Sequence, residues 1–135
     1  MENRMKEVAI EIEELRAAAE QGDTDAMSEL AIIYEVGDGV EEDISKAIYW
    51  HTLAAEHGDA REQIDLGHMY KIGQGVEKNY ENALYWYRKA AEQNEPLAFD
   101  ALGMMYLCGK GVEKDEEEAE RLFCMAEHLR SGARR

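Results

Sequence analysis

Cations are scarce in this 135-residue chain: 15 Lys and Arg stand against 30 Asp and Glu, a formal net charge of −15. That balance disfavours nucleic acid, whose binding needs cationic groups to displace condensed counterions. It disfavours an anionic membrane surface for the same electrostatic reason. It favours solubility and faster encounter with basic partners. Proline occurs once, which argues against a proline-rich linker and suits helices. The two cysteines, Cys108 and Cys124, are too few for a disulfide framework. After the charged start Met1-Glu2-Asn3-Arg4-Met5-Lys6 there is no run of about seven apolar residues, so no secretory leader is legible. No stretch of ~18 apolar residues could span a bilayer either. The expected location is the cytoplasm, for a chain that has not lost a leader.

What the chain has in abundance is repetition. Tyr34-Glu35-Val36-Gly37-Asp38-Gly39-Val40 returns as Tyr70-Lys71-Ile72-Gly73-Gln74-Gly75-Val76 and again as Tyr106-Leu107-Cys108-Gly109-Lys110-Gly111-Val112. The copies lie 36 residues apart (73 − 37 and 109 − 73). A fixed period of this size marks a stacked-repeat protein. With 45% hydrophobic residues, the chain can bury one continuous core.

Each copy reads as two helices. The first carries Leu30 and Tyr34, Leu66 and Tyr70, or Leu102 and Tyr106 on its buried face. The residue after each Leu is small: Ala31, Gly67, Gly103. Glycine costs a helix about 1 kcal/mol relative to alanine, so its return implies close helix packing. Gly37, Gly73 and Gly109 suit the position just past a helix end, as do Gly22, Gly58 and Asn94. Gly39, Gly75 and Gly111 allow a second bend, and Val40, Val76 and Val112 plug the turn into the core. These glycines do not make a phosphate loop, because no strand precedes them and no Lys-Ser/Thr follows. Asp43, Asn79 and Asp115 are N-cap residues for the second helix. Its expected buried positions are Ala47/Ala83/Ala119, Trp50/Trp86/Leu122, His51/Tyr87/Phe123 and Ala54/Ala90/Ala126.

The two ends depart from this plan. Residues 4–20 form an amphipathic helix with Met5, Val8, Ile12, Leu15 and Ala19 on one face. It is a half-repeat that covers the start of the stack. In the third copy Ile44/Tyr80 becomes Glu116, Ile48/Leu84 becomes Glu120, and Ala55/Ala91 becomes Glu127. A face that would bury against a further repeat is made for water, so the stack is expected to end there. The expected organisation is a capping helix (1–21), three repeats (22–57, 58–93 and 94–130) and a short basic flexible tail (131–135).

The second copy, with Leu66-Gly67, Tyr70, Gly73, Gly75-Val76, Asn79, Ala83, Trp86 and Ala90-Ala91, resembles the Sel-1-like repeats, relatives of tetratricopeptide repeats. The resemblance runs from about Glu20 to Leu129. It implies an all-α, right-handed α/α superhelical solenoid of about seven antiparallel helices. Such proteins are adaptors, with a concave groove lined by first helices. Glu62 departs from the small residue expected where Ala26 and Ala98 stand; either that position is splayed or its carboxylate escapes to solvent at the helix start. The chain also differs from a cysteine-rich, disulfide-bonded branch of the family. Cys108 and Cys124 lie roughly 13 Å apart along the helix axis, beyond the ~7 Å Cα separation a disulfide tolerates. Free thiols are expected, with Cys108 as a small core residue.

By register with tetratricopeptide stacks, the groove residues implied are Ser28, Ile32 and Glu35, then Ile64, His68 and Lys71, then Asp100, Met104 and Leu107. Arg61 and Leu97 fall at the groove edge. This mixture of apolar residues and cations suits a protein or peptide partner; the alternative is that these residues only pack against the neighbouring repeat. His51 is expected to pack, His57 and His128 to be exposed, and no histidines have metal-ligand spacing. No catalytic constellation is legible, so neither an enzyme nor a cofactor is expected. Glu116-Glu117-Glu118 reads as a solvated helix start. The chain is expected to be a monomeric, non-catalytic adaptor. A second reading is an acidic inhibitor or immunity-type protein that blocks a basic toxin or effector; a remote third is a hydrolase.

Overall fold

In a computed structural model, which describes residues 2–133, the turns carry the repeat. In each, the amide that opens the second helix donates to the carbonyl of the tyrosine near the end of the first. The pairs are Asp43 to Tyr34 at 2.9 Å, Asn79 to Tyr70 at 2.8 Å and Asp115 to Tyr106 at 3.0 Å. Reversing the chain in so few residues needs two left-handed positions. Gly37/Gly39, Gly73/Gly75 and Gly109/Gly111 supply them, all with φ between 67° and 78°. Asp43, Asn79 and Asp115 then cap the next helix, each accepting from the amide three residues on.

Among the described residues there are seven helices: α1 Glu2–Glu20, α2 Thr24–Val36, α3 Ile44–Glu56, α4 Ala60–Ile72, α5 Tyr80–Ala91, α6 Pro96–Cys108 and α7 Glu116–Ala133. No strand occurs among them. Asp23 and Asp59 cap α2 and α4. The entry to α6 instead uses Asn94 at φ 61° and Pro96 in the first turn, where a missing N–H costs nothing.

Two compact units divide the chain, Met1–Glu62 and Gln63–Arg135. In the first, α2 packs on α1 and α3 around Ile12, Met27, Leu30, Tyr34 and Trp50, with Val8 and Val40 closing the edge. In the second, α6 packs on α5 and α7 around Leu84, Tyr87, Leu102, Met105 and Leu122, with Val112 plugging its turn. Ile64, Ala90 and Ala98 form a smaller cluster.

The small residue after each leucine has a physical cause within the second unit. A Cβ on Gly67 would lie 2.4 Å from Tyr87 Cε1, and one on Gly103 would lie 2.6 Å from Phe123 Cε1. The first copy tolerates Ala31, and its residue in the register of those rings is the smaller imidazole of His51.

Besides Ile64, which is taken up with the site, four expectations need correction. Met5 is exposed, so the buried face of α1 starts at Val8. Cys108 is also exposed, like Val36 and Ile72 in the same register, because the last residue of each first helix points outward. Ser131, Gly132 and Ala133 continue α7 and are not a free tail. Arg130 just before them is anchored by an ion pair with Asp100. The rest of that tail, Arg134 and Arg135, lies outside the described residues. Glu62 is the fourth and is taken up below. Glu116, Glu120 and Glu127 are all exposed, as their charge requires.

Gly103→Ala should lower stability by about 1–3 kcal/mol, the usual cost of overpacking, although alanine is the better helix former. Urea unfolding measures it, and combining the change with Phe123→Leu should recover part of the loss.

Candidate functional site

The first helices present their outer faces through positions three and four residues apart, between the leucines and tyrosines that hold the core. In the first unit, Ile32 is 52% exposed, Ser28 and Glu35 are half-buried, and Arg61 is exposed. In the second, Leu97 (61%), Met104 (47%) and Leu107 (37%) are exposed apolar side chains. His68 is also exposed, and Lys71 and Asp100 are half-buried. Ile64 does not belong with them: it is 6% exposed and packs on Ala90 and Ala98.

Three of the polar positions are engaged with the following helix. Glu35 Oε2 lies 3.9 Å from His51 Nε2. Asp100 pairs with Arg130. His68 Nδ1 lies 2.6 Å from the Tyr87 hydroxyl, with the rings edge to face at 5.4 Å. Burial pushes the Tyr87 phenol above its ordinary range, so it keeps its proton. Burial, and then the neighbouring Lys71 ammonium, hold His68 below its ordinary value of 6.5, with Asp65 partly opposing them. The exposed face of α4 therefore presents a neutral imidazole beside Lys71.

The sequence reading missed the most buried polar pair of the first unit. Glu62 does not escape to solvent; it is 4% exposed, and His51 is 6% exposed. Glu62 Oε2 sits 2.5 Å from His51 Nδ1. Both residues break the repeat: His51 stands where Tyr87 and Phe123 stand, and Glu62 where Ala26 and Ala98 stand. Two departures 11 residues apart were the available signal, since a buried carboxylate requires a partner. The exchange is coupled: a smaller ring leaves room, and a longer acidic side chain fills it and supplies the acceptor. Glu35 in turn replaces the Lys71 and Leu107 of the other copies. The cluster is too enclosed for substrate, and no group of three or more metal-ligating side chains exists among the described residues.

Glu62→Ala should cost about 3 kcal/mol or more, because it leaves His51 buried without its acceptor. Ala31→Gly, His51→Tyr and Glu62→Ala together give the residues that stand 36 positions on (Gly67, Tyr87 and Ala98) and should regain most of that, so urea unfolding should give strong positive coupling. A separate prediction concerns pH. The folded-state proton affinity of His68 is lowered, so the unfolded chain binds more protons near pH 6.5. Stability should therefore fall as pH drops through and below that value. His68→Gln should remove this component from thermal unfolding measured across the range.

The Sel1 repeat model matches residues 24–59, 63–95 and 100–129. The structure is similar to that of a Sel1 repeat protein from Oxalobacter formigenes, 38% identical over 87% of this chain and 89% of the other, with a TM-score of 0.79. It is similar, at 37% identity over 87% of this chain and a TM-score of 0.80, to part of a protective antigen of uropathogenic Escherichia coli strains displaying an SLR fold; the match spans 25% of that protein. Helicobacter pylori cysteine rich protein B is 25% identical over 87% of this chain and 90% of its own, with a TM-score of 0.63. No curated protein sequence gives a significant match. The all-α solenoid class expected from the repeat is the class these structures share. Proteins of this repeat are generally non-catalytic protein–protein interaction scaffolds. With its repeats matched along most of the sequence, the chain belongs to the Sel1-repeat family.

Proposed function

We propose that the chain is a non-catalytic adaptor that holds a protein or peptide segment on the outer faces of its first helices. The observation that carries this reading is the exposure of large apolar side chains there: Ile32 in the first unit, and Leu97, Met104 and Leu107 in the second. In a chain with 30 acidic residues, carboxylates could have occupied these positions at little cost to folding. Removing apolar surface from water contributes roughly 25 cal/mol per Å², so a few such side chains can anchor a segment. His68 and Lys71, on α4 in the second unit, add a donor and a charge that can fix its register. Neither enzyme nor cofactor chemistry is part of the proposal. No described helix is long and apolar enough to cross a membrane.

A second reading, blocking of a basic partner, draws on the first turn. There Asp38, Glu41 and Glu42 are exposed and Glu35 half-buried. Salt separates the two. Charge-driven binding weakens steeply once the Debye length falls to about 8 Å at physiological ionic strength, whereas apolar anchoring persists.

Met104→Glu combined with Leu107→Glu should abolish capture of the partner from native extract, while leaving the circular dichroism of the folded chain unchanged. Capture that survives both changes would rule out this face. Ile64→Glu is the contrasting control: it buries a charge and should unfold the chain, not merely weaken capture.

A further inference from the structure

We propose that Lys71, Lys78 and Lys110, gathered around Tyr80 at the turn end of the second unit, receive a carboxylate-rich segment of a partner protein. Backbone geometry brings the group together. The Asn79 amide donates to the Tyr70 carbonyl at 2.8 Å, which sets Lys71 beside Tyr80. Lys78 Nζ lies 4.9 Å from the Tyr80 ring centroid. Gly111 backs directly onto Tyr80, where a Cβ would come within 2.8 Å of the tyrosine Cβ, and this carries Lys110 to the same place. The Tyr80 phenol registers the result: a hydrogen bond with Lys78, then the charges of Lys78, Lys110 and Lys71, hold its ionisation below the ordinary range.

Three features set this cluster apart from ordinary surface lysines. The first is that none of the three pairs with a carboxylate among the described residues. Other cations of the same unit do: Lys114 with Glu116 at 3.7 Å, Arg121 with Glu118 at 2.6 Å, and Arg130 with Asp100. In a chain with twice as many acids as bases, three neighbouring unpaired cations run against the average. The second is register. Lys71 and Lys78 stand where the first copy has Glu35 and Glu42, and Lys110 where it has Asp38. The same turn is thus acidic in the first unit and cationic in the second, although Glu77 and Glu113 keep the acid of Glu41. The third is that the turn amides nearest the helix ends are already engaged. Those of Gly73 and Gln74 already donate to the Met69 carbonyl, and that of Lys110 to the Met105 carbonyl. What remains is a set of separate, flexible ammonium groups and one phenol. They suit carboxylates spaced along a peptide better than one compact trianion. A long polyanion would also meet the net −15 beyond the patch. This inference stands independently of the apolar first-helix face.

The test is a fluorescence-anisotropy titration with a dye-labelled octaglutamate peptide at low and physiological salt. The wild-type chain should bind it, more weakly at the higher salt. Replacing Lys71, Lys78 and Lys110 together by Gln should weaken binding by about tenfold or more. Lys114→Gln, which alters a lysine already paired, should leave it unchanged. Bound peptide should also raise the pKa of Tyr80, because its carboxylates offset the lysine charges, seen as a loss of tyrosinate absorbance at alkaline pH that a Tyr80→Phe variant does not show. Absence of binding, or binding that the triple variant retains with its helical content intact, would overturn the proposal. So would equal binding of inorganic phosphate, which would indicate a small-anion site. Salt-sensitive self-association in sedimentation that the triple variant loses would replace the partner by a second copy of this chain.

Discussion

Everything in this chain depends on one reversal, made three times. A helix ends on a left-handed glycine, a second left-handed glycine bends the chain again, and the next helix starts by returning its first amide to the tyrosine carbonyl of the previous one. The tyrosine is thus tied at its backbone to the turn, and Tyr34 buries its ring in the core of the first unit. Because the bond joins residues nine apart in each copy, neither the turn length nor the glycine positions can drift. That rigidity lets paired helices approach until Gly67 touches Tyr87 and Gly103 touches Phe123.

Given so fixed a frame, a side-chain exchange at one position must be answered at another. The His51–Glu62 pair is the clearest case. At the equivalent positions 36 residues on stand an aromatic ring, Tyr87, and an alanine, Ala98. In the first unit the same volume is met by an imidazole, a carboxylate and the nearby Glu35. Buried ion pairs contribute little net stability against a hydrophobic equivalent, yet breaking one is costly. The pair therefore constrains the first unit without needing to strengthen it.

The outer surface is where the copies are free to differ. Apolar residues at the exposed first-helix positions and the reversal of charge between the first and later turns cost the folded state little, since none of them supports the core. They alter what each unit can meet: an apolar segment on one side, charge of a chosen sign at the turns. A net charge of −15 averages over this and hides it.

The sequence by itself determined the repeat, the helix count, the turn glycines, the capping residues and the small residue after each leucine. All of these are local or periodic requirements, and a 36-residue spacing states each of them three times. Tertiary structure decided what periodicity cannot encode. Ile64 was assigned to an open face, but it fills the space beside Ala90 and Ala98. Cys108 was assigned to the core, but it ends a helix in solvent. Glu62 looked like an escape to water, but it turns inward because His51 across the helix pair offers a nitrogen at 2.5 Å. Of the three lysines around Tyr80 only Lys110 is distant in sequence, and the packing of its turn on α5 brings it to the other two. Each of these outcomes depends on which atoms lie across a gap, and a single residue's type or spacing does not carry that information.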